Sequence, residues 1–288
     1  MPPHFSDCPN KPKCSAAAQY WQVHCRCGEF LGFPNYRAAT AEREELVKRY
    51  EVARDDCETR RVAPSLAKLD ALVERSRPVI AMSFATCDDI LRSSKYRNYD
   101  LRTATGERDP ASQQNHADRA MVGAKLFPMY HQHIHYAALS PNGHALLSYG
   151  PIAVCWEVTS AYLERRASLL DENSFFFYDR YALGQRGSTL PAAHRATWED
   201  RAMLVAAKVS PRLTSDADET KLVQLLLKPG ATRNEDDFVE IAIYAEGGLD
   251  TQDVTKVTLQ RAPTTPEEVH RMELVREICG KRGIAVIE

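Results

Sequence analysis

The chain has 288 residues, with 37 Lys and Arg against 39 Asp and Glu; the resulting formal charge of -2 excludes a globally basic surface as the means of recruiting nucleic acid. It is long enough to bury a full core, either as one large domain with a small appendage or as two modest domains. No run approaches the ~18 apolar residues of a membrane span, and the opening "MPPHFSDCPNKPKC" lacks the apolar centre of a secretory signal, so a cytoplasmic chain without a membrane partner is expected.

Eight cysteines are unevenly placed: Cys8, Cys14, Cys25 and Cys27 fall within 20 residues, while Cys57, Cys87, Cys155 and Cys279 are scattered. A cluster plus isolated thiols in a chain this long points to a reducing compartment and a metal knot. Zinc takes four soft ligands in a tetrahedron. Pro9, Pro12 and Gly28 provide turns that let thiols so close in sequence meet, with His4 and His24 nearby. Such a closed four-thiolate site would be structural, holding an N-terminal module together. The alternative is a set of free or disulfide-bonded cysteines.

In chain order, "TAEREELVKRYEVARDDCETRRV" predicts a helix with Thr40 as its N-cap. "SLAKLDALVERS" predicts a second, with Leu66, Leu69 and Leu72 inward. "RPVIAMSF" reads as a strand and "TCDDILRSS" as a short helix. The polar stretch 96–115 reads as a long irregular loop, either functional or disordered, and "HADRAMVGAKLFPM" as a helix ending before Pro128. Two strand-like runs, "HIHYAAL" and "YGPIAVCWEV", are joined by the Asn-Gly turn "SPNGH". "SAYLERRASLL" reads as a helical turn, "NSFFFYDRY" as an aromatic strand, and "HRATWEDRAMLVAAKVS" and "DADETKLVQLLLK" as helices. "DDFVEIAIY" and "VTKVTLQ" are strands, "TPEEVHRMELVREICGKRG" is a helix capped by Thr265, and "IAVIE" is a last strand. Helices and strands mix without regular alternation, so the fold class is α+β. An N-terminal Cys-rich and helical module is expected over 1–77 and a main domain over 78–288.

His131, His133 and His135 occupy alternate positions, which on a strand share one face at roughly 7 Å steps. That spacing suits a surface or a nucleotide-facing groove better than one tetrahedral ion. Three readings stay open: imidazoles on a partly solvated strand face, donors to a nucleotide, or metal ligands joined by His144.

From residue 78 onward the order of motifs resembles the ADP-ribosyltransferase fold, particularly its bacterial toxin-like members. "VIAMSFATCDDILRSSKYRN" resembles the opening strand, helix and turn. "HIHYAAL" with "SYGPIAV" resembles the central strand pair, with Tyr136 and the Tyr149-Gly150 step in matching places. "ERRASLLDENSFFF" is similar to the stretch carrying a serine ahead of an aromatic strand, here Ser174, and "DDFVEIAIYAEGGLDTQDVTKVTL" to the late strand bearing the catalytic glutamate, here Glu240. The resemblance implies a split antiparallel sheet with flanking helices, NAD as substrate, and mono-ADP-ribosyltransferase or NAD glycohydrolase activity. It also implies an unknown macromolecular acceptor and, for a toxin or effector, an inhibitor protein. The chain departs from the pattern in three places, one of them "AEGG" from residue 245, where a single glycine is usual. The first strand, "AMSFAT", lacks the expected Arg or His, and Phe238 stands where arginine-modifying members carry Glu or Gln.

Cleaving the nicotinamide–ribose bond develops positive charge on the ribose, and a carboxylate beside it stabilises that charge. Glu240, on an otherwise apolar strand, suits this role, and by itself is equally a solvated strand residue. Tyr136, Tyr149, Phe176 and Tyr178 could wall a nicotinamide pocket, or be core aromatics. Ser174, His133 and His135 could bond ribose or phosphate oxygens. Two other classes compete: a metal-dependent nuclease built on His131, His133, His135 and His144, and a non-catalytic binding module.

Overall fold

The computed structural model describes residues 5–8, 14, 16–19, 21–109, 112–231 and 235–288; His4, Pro9 and Pro12 lie outside the described residues. Two short strands, β1 (Phe5–Asp7) and β2 (Ala17–Gln19), pair antiparallel within the cysteine-rich stretch. Helix α1 (Pro34–Ala41) begins with a proline, whose missing N–H is no loss in a first turn. The chain breaks at Glu42 and resumes as α2 (Arg43–Thr59), so Thr40 lies inside α1, donating to the Tyr36 carbonyl, and caps nothing. The break has a partner: the Glu42 carboxylate receives the guanidinium of Arg195. α3 (Ala63–Glu74) follows with Leu66, Leu69 and Leu72 buried as expected.

β3 (Arg77–Met82) opens the main sheet, and Ser83 caps α4 (Phe84–Arg92) by accepting from the Thr86 N–H. The polar stretch 96–115 is more ordered than a loop. It carries β4 (Lys95–Tyr96), α5 (Tyr99–Ala104) and the start of α6 (Gln113–Leu126). Asn98 holds it in place, capping α5 with its oxygen and donating its amide to the carbonyls of Gln132 and Ile134.

After α6, residues His131–His133 form a single 3₁₀ turn, and β5 runs only over Ile134–Ser140. Then come β6 (Ile152–Trp156), α7 (Ser160–Leu163) and β7 (Ala167–Leu170). The aromatic run 173–181, expected as a strand, is helix α8 (Ser174–Arg180). Asn173 caps it, and the inward residues Ser174, Phe177 and Tyr178 fall at helical spacing. β8 (Arg195–Thr197) precedes α9 (Arg201–Val209), dividing a stretch expected as one helix. The remaining elements are α10 (Glu219–Leu226), β9 (Leu227–Lys228), β10 (Asp237–Phe238), β11 (Glu240–Tyr244), β12 (Leu249–Asp250), β13 (Val254–Leu259), α11 (Pro266–Arg282) and β14 (Ala285–Ile287).

Eight strands form one mixed sheet in the order β14-β13-β6-β3-β5-β11-β7-β8; β13 and β14 are parallel and every other pair is antiparallel. The fold is α+β. On one face Ile80, Leu139, Leu169, Ile241 and Ile243 share a buried cluster with Leu46 of α2, Leu66 and Leu69 of α3, and Leu204 of α9. Each such side chain contributes ~1.5–3 kcal/mol on burial. The other face holds an aromatic cluster of Phe33, Phe127, Tyr130, Phe177, Tyr178 and Tyr244. Among the described residues no helix is long and apolar enough to cross a membrane.

The sheet opens in the middle. β3 and β5 pair only at Arg77↔Ser140, Pro78↔Leu139 and Val79↔Ala138. Beyond Val79, β3 has a ladder only with β6, and Ile134–Ala137 of β5 pair only with β11. The two halves therefore diverge from a short shared hinge, leaving a cleft between β3 and β5.

Candidate active site and metal centre

Glu240 begins β11, in register with Ala138 of β5 on one side and Leu170 of β7 on the other. Paired residues of adjacent strands share a face, and the small Ala138 leaves the Glu240 side chain open towards the cleft. Val79, Ile80 and Ala81 of β3 line one wall of that cleft, Tyr136 and Ala138 the other, with Tyr149, Phe238 and Glu240 completing it. The cavity holds about 70 Å³, well above the ~10–15 Å³ that a single water requires, and it opens to solvent.

The Glu240 carboxylate is only 5% exposed. Its Oε2 accepts a long hydrogen bond of 3.5 Å from Ser174 Oγ, and the Ser174 backbone N–H also donates to the carboxylate. Oε1 is buried without a partner. Burial raises the pKa of Glu240 to about 7; Ser174 and the positive charge of Arg119 oppose that rise without cancelling it. Burial, and then the charge of Glu240, push the Tyr136 hydroxyl well above its ordinary value.

Neighbouring loops fix these groups. The β7–α8 turn places Asn173 so that its amide donates to Tyr149 Oη at 2.6 Å, while its oxygen caps α8 and so sets Ser174 in the first turn. Tyr149 is also held edge-on by Phe238, ring centroids 5.7 Å apart. Gly150 permits this approach, because a Cβ there would sit 2.4 Å from the Met82 backbone. Lys208 of α9 donates to the carbonyls of Asp171 and Phe238 and pairs with Asp237 at 2.5 Å, tying together the ends of β7 and β10 that flank Glu240.

Tyr136, Tyr149, Ser174 and Glu240 thus come together. The two histidines do not join them. His135 alternates with Tyr136 along β5, so it faces the opposite side of the sheet, fully buried, with Nε2 3.0 Å from the Tyr96 carbonyl. Burial lowers its pKa to about 4, which keeps it neutral. His133 lies in the 3₁₀ turn, edge-on to Tyr244 at 5.9 Å. Tyr178 packs in the aromatic cluster and Phe176 is exposed on α8; neither lines the cleft. His144 sits exposed beyond the Asn-Gly turn. Two residues the sequence did not single out bear on the site: Asn173, which holds Tyr149 and caps α8, and Arg119 on α6, whose charge acts on Glu240. Asn173 would have been visible as a helix cap had the aromatic run been read at helical spacing. Nothing in the sequence distinguishes Arg119 from the chain's other arginines.

The cysteine cluster stands apart from the cleft. Sγ atoms of Cys8, Cys14, Cys25 and Cys27 all lie within 4.8 Å of one another, the only such group of ligands among the described residues. Cys8 and Cys27 are 3.6 Å apart, Cys14 and Cys25 3.7 Å. Four sulfurs around one zinc at ~2.3 Å stand about 3.8 Å apart, so the set fits a metal such as zinc, and none of the cysteines forms a disulfide. The turn Cys25–Gly28 closes with a 2.8 Å bond to the Cys25 carbonyl and uses the positive φ of Gly28. There the Cys27 N–H helps lower the Cys25 thiol to about 7, towards the thiolate a metal requires. The module docks onto the end of β11: Phe30 and Phe33 both stack on Tyr244, at 6.3 and 6.2 Å.

No protein-family model matches the chain, and no curated protein matches it. What fold and site define is an α+β protein with a cysteine cluster able to hold a metal and a buried carboxylate in a split sheet.

Proposed function

We propose that the chain has an ADP-ribosyltransferase-like architecture and cleaves the nicotinamide–ribose bond of NAD, as a mono-ADP-ribosyltransferase or NAD glycohydrolase. The observation that carries this reading is Glu240, a desolvated carboxylate with one free oxygen at the floor of a cleft walled by Tyr136 and Tyr149. The C–N bond breaks with its electron pair leaving on nicotinamide, and the ribose passes through an oxocarbenium-like state. Ionised Glu240 stabilises that charge at short range in a low-dielectric site. Water, or a nucleophile on a macromolecular acceptor, then adds to the ribose carbon and loses its proton. A carboxylate with a pKa of about 7 is basic enough to take it. Ser174 orients the carboxylate, and the two tyrosines hold the nicotinamide ring by stacking and edge contact.

The cysteine module is structural in this reading. Zinc bound by Cys8, Cys14, Cys25 and Cys27 would fix the loop that brings Phe30 and Phe33 against β11. Thiols kept reduced for that purpose belong in a cytoplasmic setting. A toxin or effector of this kind would carry a cognate inhibitor protein. The non-catalytic alternative draws on β3, which brings only apolar side chains to the cleft. Incubating the full chain with NAD and measuring free nicotinamide decides between them: release supports the catalytic reading, and intact NAD with every acceptor class leaves the binding module.

A further inference from the structure

We infer that His194 is a positioning residue for the Glu240 site, gripping the chain on both sides of Asn173 and Ser174 and so fixing where Ser174 meets the carboxylate. The inference rests on Glu240 being the functional carboxylate, as in the NAD-cleaving reading. On the near side, His194 Nδ1 donates to Asp171 Oδ2 at 2.8 Å, and the His194 carbonyl accepts from the Asp171 N–H at 3.1 Å. On the far side, its ring lies edge-on to Phe177 at 6.3 Å and tilted against Tyr181 at 5.3 Å, with Tyr181 Oη 3.4 Å from Nε2. Phe177 lies within α8 and Tyr181 caps its end, while Ser174 is the first residue of the same helix.

The cluster around Asp171 is expensive to keep. Asp171 is only 3% exposed, and its Oδ1 is buried without a partner. Burial alone would raise its carboxyl, but the hydrogen bond and charge of His194, then Arg49, bring it below its ordinary value and keep it ionised. Arg49 of α2 donates from one nitrogen to both Asp171 Oδ2 and the Ala193 carbonyl, each at 2.8 Å. Ala193 is buried with φ at +66°, a left-handed conformation that strains a residue carrying a Cβ. Its carbonyl meets Arg49, and the next residue is His194. From α9, Lys208 holds the Asp171 carbonyl. A buried ion cluster adds little stability over apolar packing, but it can fix one arrangement of the elements that meet in it.

What the cluster holds is short. Only Glu172 and Asn173 separate Asp171 from Ser174. Asn173 donates to Tyr149 Oη at 2.6 Å, and Ser174 Oγ reaches Glu240 Oε2 at 3.5 Å, a length at which a small displacement abolishes the bond. Ser174 opposes the burial that raises Glu240 to about 7. The titration of Glu240 therefore reports on the grip of His194. A contact that only braced the entry to β8 would leave that titration alone.

The test follows the Glu240 carboxyl by carbon-13 NMR of side-chain-labelled glutamate in the full chain without NAD. Its resonance is assigned by its loss in Glu240→Gln. His194→Ala should raise the Glu240 pKa by about half a unit to one unit, the loss of one hydrogen bond to the ionised form. Ser174→Ala should give the same shift, and the double variant no more than Ser174→Ala alone, because both act through one contact. His194→Asn keeps a donor near the place of Nδ1 and should titrate as the wild type does, whereas His194→Gln should behave as the Ala variant. The Asn and Gln variants carry the test if the Ala variant does not fold. An unchanged Glu240 titration in His194→Ala and His194→Gln, or shifts that add in the double variant, would overturn the inference. If Glu240 shifts as expected while NAD is never cleaved, the positioning of Ser174 by His194 stands and the NAD-cleaving reading fails. If NAD is cleaved and His194→Ala keeps the wild-type kcat and pH profile, the inference fails and that reading stands.

Discussion

Ser174 and Glu240 stand 66 positions apart, yet the serine hydroxyl and backbone N–H both address one carboxylate, with Oγ 3.5 Å from Oε2. The contact forms because β11 pairs with β7 at Leu170, and the chain needs only Asp171, Glu172 and Asn173 to turn into α8. Ser174→Ala should leave the fold intact and remove one donor to the ionised form. The acid limb of any Glu240-dependent activity should then move to higher pH, with a rate loss of about tenfold, as expected for one net hydrogen bond. An unchanged pH profile would mean that Ser174 does not orient the carboxylate.

The pKa of about 7 makes Glu240 costly to ionise, and the sign follows from linkage. Its folded value lies above the ordinary value of 4.5, so its contribution to stability is fully present below 4.5 and is lost as pH rises through about 7. The shift corresponds to about 3 kcal/mol at alkaline pH. Glu240→Gln removes this loss, so the variant should gain stability over the wild type between pH 5 and pH 8 in parallel thermal melts. A stability difference that stays flat across that range would show that the carboxylate is not desolvated.

His135 behaves in the opposite sense. Its folded pKa of about 4 lies below the ordinary value of 6.5, so its stability contribution is present above 6.5 and is lost as pH falls through about 4. His135→Gln can keep a donor to the Tyr96 carbonyl without titrating. The wild type should lose more stability than the variant in denaturant titrations taken from pH 6.5 to pH 4. Identical losses would place the acid sensitivity elsewhere.

For the cysteine cluster, elemental analysis of protein purified without added metal should find about one zinc per chain, as for one four-thiolate site. Chelation should lower the melting temperature, because the loop held by the thiolates carries Phe30 and Phe33 onto Tyr244. Disulfides among Cys8, Cys14, Cys25 and Cys27 in the native protein would contradict the site.

Much of the candidate site was legible from local pattern. Four thiols within 20 residues announced their cluster, and "FVEIAIY" showed one charge on an apolar strand, which is where Glu240 lies. Other features depended on distant partners. A strand started one residue early or late keeps its alternation, but which side faces a cleft is set by tertiary pairing. His135 and Tyr136 could therefore not be sorted before β11 was paired with β5. The run "NSFFFYDRY" is short enough to satisfy either period, and its cap and the aromatic cluster decided for helix. β7 and β8, at four and three residues, carry too little pattern to be read without the sheet they extend.

The most direct test compares nicotinamide release from NAD by the wild type and Glu240→Gln across pH 5 to 9. The account predicts that kcat/KM of the wild type rises through about pH 7 as the free protein's carboxylate ionises. The Gln variant should be slower by about 10²–10³, the usual cost of one key electrostatic group, and should show no such rise. Equal rates for the two proteins, with the same pH profile, would contradict Glu240 as the catalytic residue.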